Sequence, residues 1–159
     1  MNYKFFWSGA SPLSNFYLVD YYHDKLGHKL CCSEQDYMWE KAMYFGDTDL
    51  ANKILMLKEP KHIKAAGQTV KGRDKDEWAK VKTTKMLHVL RRKFSLIDLQ
   101  KYLLDTEYDI LVEASPYDSE WGIGLDAKSA YTTPMSEWPG KNLLGKCLML
   151  VREEKRLGI

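Results

Sequence analysis

The feature that most constrains this chain is a short apolar run that ends in an acid and continues into a glycine-containing loop. Ile110-Leu111-Val112 is typical of a buried strand, and Glu113 follows it directly. A turn at Ser115-Pro116 then leads to the loop residues Asp118, Trp121, Gly122 and Gly124. Glycines let the backbone approach a ligand closely and an indole provides a flat wall, so the stretch is typical of a pocket mouth. The alternative is a capped turn, in which the two acids bond backbone N–H groups and the indole closes the edge of the core.

The length of 159 residues predicts one domain, residues 1–159, with a core of its own. The N-terminal residues lack the pattern of an export signal, and no apolar run is long enough to span a membrane, so we expect a cytoplasmic protein. The adjacent Cys31-Cys32 and the distant Cys147 match neither a disulfide framework nor a metal-binding cysteine pair. We expect these thiols to be reduced and mostly structural.

Positive charge is concentrated in one segment of the chain. Between Lys71 and Lys93 there are nine basic residues and three acids, a net charge of +6, whereas the whole chain carries +2. Such a segment could attract the phosphates of a nucleotide or of a nucleic acid. A solvated helix face would have the same composition.

The periodicity of apolar residues and the capping signals predict a mainly helical chain with a few strands. Strands are predicted at Tyr3–Trp7, in a hairpin over Tyr21–Cys32 and at Ile110–Glu113. Helices are predicted from the N-cap Ser33 to Phe45, at Asp47–Leu57, from Glu59-Pro60 to Gly67, at Asp74–Phe94, at Leu96–Leu104 and at Asn142–Arg156, and the segment Asp126–Lys141 is expected to be irregular. In the longest helix the expected core stripe is Ala79, Thr83, Met86, Leu90 and Phe94. His23 and His28 flank the hairpin turn and are expected to be exposed to solvent.

The helix that starts near Ser33 places two charged residues on an apolar face. Glu34 and Lys41 share that face with Tyr37 at helical spacing, so both are drawn toward the interior or a pocket. Both side chains could instead extend along the surface to reach water. Burial lowers the pKa of a lysine toward neutrality, which a lysine nucleophile requires.

The order and spacing of a larger set of residues resemble the NADAR family, also called YbiA-like, over roughly Phe5 to Arg152. The set consists of Ser14-Asn15-Phe16, Ser33-Glu34, Lys41, Gly67, Trp78, Met86, Lys93-Phe94, Leu111-Val112-Glu113, Asp118, Trp121-Gly122, Asn142-Leu143-Leu144-Gly145 and Leu148-Met149. One departure is visible, since the family's glutamate is usually followed by histidine and Glu34 is followed by Gln35.

The resemblance implies a compact, mainly helical α+β domain with a small sheet formed by the N-terminal strands and Ile110–Glu113. It also implies an N-glycosidase that cleaves the bond between C1 of a ribose and a nitrogen of a base. Members of the family act on ADP-ribosylated guanine in nucleic acid or on phosphoribosylated pyrimidine intermediates of riboflavin synthesis. The expected partner is therefore a nucleotide-like substrate, with nucleic acid as a further partner, and neither a metal nor an organic cofactor is expected.

Cleavage of a ribosyl C–N bond needs a carboxylate near the sugar and a proton donor near the base. Following the resemblance, Lys41 is the expected nucleophile, which forms an imine with the opened ribose. Glu34 would move protons, and Asp118 would hold the sugar hydroxyls or stabilise the charged intermediate. Glu113 is the third candidate acid. The expected substrate-binding residues are Ser14, Asn15, Phe16, Tyr37, Gly67, Trp78, Trp121, Gly122, Gly124 and Asn142. If Lys41 only pairs with a substrate phosphate, water is the nucleophile instead.

Two other classes of protein are compatible with the residues alone. A nucleotide or nucleic-acid binding module would use the basic segment and Trp121 without catalysis. A structural interaction domain would leave the acids of the glycine loop unexplained. The pair formed by Glu34 and Lys41 favours an enzyme, because a binding module has little need for charges on a buried helix face.

Overall fold

The computed structural model describes residues 2–159, which form two compact units. The first unit combines the chain up to Ser14 with Ile97–Ile159, and the second is Asn15–Leu96. In chain order the elements are β1 (Tyr3–Phe6), β2 (Tyr21–Tyr22), β3 (Lys29–Leu30), α1 (Ser33–Tyr44), α2 (Thr48–Met56), α3 (Pro60–Gly67), α4 (Lys75–Lys93), α5 (Ile97–Leu104), β4 (Ile110–Glu113), α6 (Ala127–Tyr131), a 3₁₀ turn (Met135–Glu137) and α7 (Leu143–Arg156). The predicted helical α+β fold is confirmed. Among the described residues, no helix is both long and apolar enough to cross a membrane.

The second unit is built around α1, which packs against α2, α3 and α4. Two of these neighbouring helices, α2 and α4, begin with a side-chain N-cap. Asp47 accepts the N–H of Leu50 at the start of α2, and Asp74 accepts two N–H groups at the start of α4. Proline at the first position begins α3. The predicted hairpin is confirmed as the antiparallel pair β2 and β3.

A parallel pair of strands joins the two chain segments of the first unit. β1 lies beside β4 in a register that places Phe5 opposite Val112. Helix α7 packs on β4 at Gly145, where an added Cβ would lie 2.1 Å from the carbonyl oxygen of Leu111. The absence of a side chain at Gly145 therefore sets how closely the helix and strand approach. Val112, Ile123 and Ala130 are buried together beside β4.

Five predictions about local structure are wrong. The strands form two separate two-stranded sheets, so the hairpin does not extend the pair that contains Ile110–Glu113. The segment Asp126–Lys141 is not wholly irregular, because Asp126 caps the short helix α6 and a 3₁₀ turn follows. The remaining three concern Ser33, His23 and the N-terminal half of the α4 stripe.

Cys32, not Ser33, is the N-cap of α1, and Ser33 is the first helical residue. His23 is buried because its ring packs on Trp39 and bonds Glu40, whereas His28 is exposed as expected. In the predicted α4 stripe Met86, Leu90 and Phe94 are buried, but Ala79 and Thr83 are exposed. The buried apolar residue of the N-terminal half is Trp78 instead.

Candidate functional site

Helix α1 is buried around its whole circumference, and this places both predicted catalytic residues of the second unit in the interior. Every residue from Ser33 to Ala42 is buried, with Glu34 at 6% and Lys41 at 7% of their full exposure. The prediction that both charges are drawn inward is confirmed. The apolar face shared with Tyr37 explains only part of this burial, because Asp36 and Glu40 on another face of the helix are buried as well.

Lys41 lies beside a wall of aromatic rings. Its ammonium is 5.8 Å from the centroid of the Trp78 indole. The ring of Tyr37, one turn earlier on α1, is 5.5 Å from the same indole. The structure therefore brings three predicted site residues together, from α1 and α4. A cation facing an indole is stabilised by the ring quadrupole, so this wall can hold a positive charge away from water.

Gly67 and Phe16 also lie in the second unit. An added Cβ at Gly67 would lie 1.8 Å from the sulfur of Met38, so the glycine lets the end of α3 pack directly on α1. The ammonium of Lys64 lies 6.0 Å from the centroid of the Phe16 ring. Packing thus explains Gly67 without a ligand, and the binding roles of both residues stay predictions.

Asn15 ties the chain entering the second unit to the start of α1. Its side-chain oxygen accepts a bond of 2.9 Å from the hydroxyl of Ser33, and its backbone carbonyl accepts the N–H of Glu34 at 3.0 Å. Lys93 from α4 donates to the same Ser33 hydroxyl over 3.4 Å. Lys93 is wholly buried, and this desolvation lowers the pKa of its ammonium to about 7. These contacts fix the backbone that carries Glu34.

In the first unit, the glycine loop after β4 folds back on its own backbone. One carboxylate oxygen of Asp118 accepts the N–H groups of Glu120 and Trp121, each at 2.9 Å. A Cβ on Gly122 would come within 2.9 Å of two carbonyl oxygens, and Gly124 has a positive φ of 73°. The capped-turn interpretation is therefore correct for one oxygen of Asp118. A sugar hydroxyl would have to bind to the second carboxylate oxygen. Glu113 and Trp121 are each partly exposed.

Asn142 has a structural partner on each side of its amide. It is the N-cap of α7, as predicted, but adopts the left-handed conformation with φ of 53° and does not cap the helix with its side chain. Instead, its oxygen accepts the N–H of Glu113 at 3.0 Å and its nitrogen donates to the carbonyl of Leu111 at 2.9 Å. A substrate bound by Asn142 would compete with these bonds. Ser14 is the last residue of the N-terminal segment of the first unit. It is buried, and its N–H donates to the carbonyl of Ser11.

An ion network on the far side of α1 was missed by the sequence reasoning. Arg92 makes a two-pronged contact with Asp36, at 3.0 and 2.8 Å, and a further bond of 3.1 Å to Glu40. Lys85 donates to the other oxygen of Glu40 at 3.1 Å, and Tyr21 donates to Asp36 at 2.9 Å. The available signal was a second charged stripe, because Asp36 and Glu40 lie one turn apart on α1 while Lys85 and Arg92 lie two turns apart on α4.

His23 completes this network and raises the question of a metal. Possible ligand atoms of His23, Asp36 and Glu40 lie within 4.8 Å of one another. The ring nitrogen Nδ1 of His23 accepts the N–H of Lys25, so Nε2 carries the proton that is donated to Glu40 at 3.0 Å. Because Arg92 and Lys85 already neutralise both carboxylates, the cluster fits an ion-pair network better than a metal centre.

The network also reduces the basic surface inferred from the sequence. Of the nine basic residues between Lys71 and Lys93, Lys85 and Arg92 pair with the buried carboxylates, and Lys93 is itself buried. Exposed positive side chains remain at Lys71, Arg73, Lys75 and Lys80, of which Lys80 pairs with Glu77. The charge that could meet phosphates is therefore smaller than +6.

Gln35, the residue after Glu34, is occupied by backbone contacts. Its oxygen accepts the N–H of Cys31 at 2.8 Å. Its nitrogen donates to the carbonyls of Ile54 at 3.1 Å and Leu57 at 2.9 Å, at the end of α2. The side chain therefore joins the start of α1 to the end of α2.

Comparison with known proteins gives a consistent result. Residues 5–156 match the NADAR domain family. The chain is 44% identical over 125 residues to N-glycosidase R617 of Acanthamoeba polyphaga mimivirus, covering 78% of this chain and 74% of that protein. It is 32% identical over 111 residues to the chloroplastic riboflavin biosynthesis protein PYRR of Zea mays, covering 67% of this chain and 16% of that protein. The NMR structure of the E. coli protein YbiA matches with a TM-score of 0.79 at 27% identity, over 99% of this chain and 86% of that one.

Proposed function

This chain belongs to the NADAR domain family, and we propose that it is an N-glycosidase that hydrolyses the bond between C1 of a ribose and a nitrogen of a base. The observation that carries the proposal is the buried Lys41, whose ammonium faces Trp78. A lysine held out of water against an aromatic wall is suited to act as a nucleophile toward a sugar carbon. The relative named N-glycosidase R617 supports the same reaction.

The proposed reaction proceeds through an imine. The neutral amine of Lys41 attacks C1, and the C–N bond to the base breaks with its electron pair moving to the base nitrogen, which takes up a proton. The ribose ring opens as the lysine nitrogen and C1 form an imine. Water then adds to C1, the bond from C1 to the lysine nitrogen breaks, and the free sugar leaves. Glu34, buried on the same helix, is proposed to carry the protons.

Roles for the first unit's loop are proposed separately. The second carboxylate oxygen of Asp118 and the carboxylate of Glu113 are proposed to hold sugar hydroxyls or to stabilise positive charge. Trp121 is proposed to stack on the base, with Gly122 and Gly124 leaving room for it. Substituting Asp118 with Asn tests this part alone, because Asn keeps one oxygen for the N–H groups of Glu120 and Trp121.

The substrate proposed first is ADP-ribosylated guanine in nucleic acid. The exposed lysines and arginine at the start of α4 support it through their attraction for phosphates. A second candidate is a phosphoribosylated aminopyrimidine of riboflavin synthesis. The similarity to the Zea mays protein PYRR, which is named for that pathway, favours this candidate.

Intact-mass measurement with and without borohydride tests the reaction and the substrate together. The protein is incubated with an oligonucleotide that carries ADP-ribosylated guanine, and released ADP-ribose is assayed in parallel. We expect release of ADP-ribose and, with borohydride, an adduct of ADP-ribose mass that is lost in Lys41→Ala. The matched control is Lys101→Ala, which removes an exposed lysine paired with Asp105 and should leave both signals intact.

The other outcomes discriminate among the alternatives. Release without an adduct in the presence of borohydride would contradict the imine and favour attack by water. No release, with turnover of the phosphoribosylated aminopyrimidine, would assign the second substrate. If both substrates remain intact while either one binds, the chain is a binding module and the proposal is wrong.

A further inference from the structure

Two adjacent cysteines place their sulfur atoms side by side immediately before α1. The Sγ atoms of Cys31 and Cys32 are 3.9 Å apart. Cys31 is half-buried and thus reachable from solvent, whereas Cys32 is fully buried. An accessible sulfur therefore lies next to an inaccessible one, with no other residue between them in the chain.

Their surroundings make the two thiols chemically different. The hydrogen bond shared with Cys32 lowers the pKa of the Cys31 thiol to about 7, with help from the charge of Lys58, even though partial burial opposes this. The same bond, together with burial, raises the pKa of Cys32 well above its usual range. The thiolate is the reactive form of cysteine, so Cys31 is the nucleophile of the pair and Cys32 stays protonated.

We propose that Cys31 and Cys32 form a reversible redox site that reacts with peroxides, a role independent of the glycosidase reaction. A reachable sulfur beside a second cysteine is the arrangement in which oxidation stops at a disulfide before irreversible acids form. Cys147, which is buried on α7, has no such neighbour in the sequence and serves as the internal control.

The reaction balances in two steps. The Cys31 thiolate attacks one oxygen of the peroxide, so that an S–O bond forms, the O–O bond breaks and the other oxygen leaves and takes up a proton. The Cys31 sulfur is oxidised to sulfenic acid and the peroxide is reduced. Once Cys31 is oxidised, the thiolate that kept Cys32 protonated is gone. The sulfur of Cys32 then attacks the Cys31 sulfur, an S–S bond forms, the S–O bond breaks, and the hydroxide that leaves takes the Cys32 proton to give water.

The resulting disulfide would be easy to reduce. Adjacent Cα atoms lie about 3.8 Å apart across a trans peptide. Relaxed disulfides need a Cα separation of about 4.4 Å or more, so a bond between neighbours is strained and readily reduced by a dithiol. This property suits a reversible site better than a structural crosslink.

Oxidation would be transmitted to the first turn of α1. The carbonyl of Cys32 accepts the helical N–H of Asp36 at 3.4 Å, and the N–H of Cys31 donates to Gln35 at 2.8 Å. Closing a ring of two adjacent cysteines rotates the peptide between them and weakens both bonds. The turn affected is the one that carries Ser33 and Glu34.

Intact mass and peptide mapping after treatment with hydrogen peroxide test the chemistry. We expect the wild-type protein and Cys147→Ser to lose two hydrogen atoms, with the bond mapped to Cys31 and Cys32 and reversed by dithiothreitol. Cys32→Ser should stop at a sulfenic acid on Cys31 that dimedone traps, and Cys31→Ser should not react. Circular dichroism establishes that each variant is folded. An unmodified pair, direct conversion of Cys31 to sulfinic acid, or a bond to Cys147 would overturn the proposal.

Hydrogen exchange tests the transmission to the helix. In the oxidised protein, the amides of residues 33–37 should exchange about tenfold faster than in the reduced protein, as expected for a loosened helix end. Equal exchange in the two forms would overturn this part. Neither experiment depends on glycosidase activity, so failure here is distinguishable from failure of the proposed function.

Discussion

The ammonium of Lys41 lies 5.8 Å from the centroid of the Trp78 indole, although the two residues come from different helices. The proposed nucleophile is thus positioned by a ring on α4, as well as by its own helix. We therefore expect Trp78 to act as a positioning residue, and its contribution can be separated from that of the lysine by substitution.

Replacing Trp78 with Leu should lower kcat about tenfold with a smaller change in KM. The ring holds the attacking nitrogen in place, and it stabilises the positive charge of the protonated imine by about 1 to 2 kcal/mol when that charge is shielded from water. Trp78→Phe keeps a ring and should recover most of the rate. Steady-state kinetics on the substrate that is turned over provide the measurement. The matched control is Tyr102→Leu, which removes the ring 5.6 Å from Lys4 and should change kcat less than twofold. Equal losses in Trp78→Leu and Trp78→Phe would argue against positioning by the ring.

Arg92 should be essential for stability. Substituting it with Met leaves the carboxylates of Asp36 and Glu40 buried without their guanidinium partner, which should cost about 3 to 5 kcal/mol in the free energy of unfolding. Arg92→Lys should recover little, since an ammonium cannot make the two-pronged contact. Urea unfolding measures both. Lys101→Met, which breaks an exposed pair with Asp105, is the control and should have little effect. An Arg92→Met protein as stable as this control would show that the network contributes little.

Glu40 should make stability depend on acidic pH. Burial alone would raise the pKa of its carboxyl, but bonds from His23 and Lys85 outweigh that effect and lower it from 4.5 to about 2. Between these two values the unfolded chain binds a proton that the folded chain does not. Stability should therefore be full above pH 4.5 and fall as the pH drops toward 2, by about 3 kcal/mol from this group.

The measurement is the unfolding free energy of wild type and Glu40→Gln as a function of pH. The variant should be less stable above pH 4.5, and its stability should change less between pH 4.5 and 2. Parallel curves for the two proteins would contradict the assignment of this pH dependence to Glu40.

Lys93 should reduce stability at neutral pH. Burial lowers the pKa of its ammonium from 10.5 to about 7, so between these values the unfolded chain holds a proton that the folded chain lacks. In wild type, stability should therefore rise as the pH increases from 7 to 10.5. Lys93→Met should raise the unfolding free energy at pH 7 by about 3 kcal/mol and remove most of that rise.

Urea unfolding at several pH values between 7 and 10.5 checks this expectation. Lys80→Met, at an exposed lysine of the same helix, is the control and should follow wild type. A destabilised Lys93→Met protein would show that the contacts of the lysine outweigh the cost of its burial.

Local signals allowed most helices to be predicted from the sequence. Asp47, Pro60 and Asp74 mark the starts of α2, α3 and α4 within one residue, because caps and prolines act on the turn that contains them. The resemblance to the NADAR family is confirmed, and it grouped Lys41 with Trp78 before their contact was visible.

What could not be predicted depends on contacts between distant segments. No local pattern encodes the pairing of β1 with β4, which places Tyr3 opposite Ile110 and was implied by the family resemblance alone. The contact of Arg92 with Asp36 requires α1 to be buried on every side, whereas charged residues on a helix normally indicate a solvated face. The expectation that His23 is exposed was wrong because His23 contacts Trp39 and Glu40 on α1, and the sequence of the hairpin does not show that contact.

The side chain of Asn142 has a consequence for how this protein behaves at high concentration. β4 pairs with β1 along one edge, and three groups on its other edge are engaged. The Asn142 amide bonds the carbonyl of Leu111 and the N–H of Glu113, and the N–H of Ile123 bonds the carbonyl of Glu113. An open strand edge is a template on which another chain can add a strand. By imitating one peptide unit of a third strand, a single asparagine closes this edge of a two-stranded sheet and protects it from self-association.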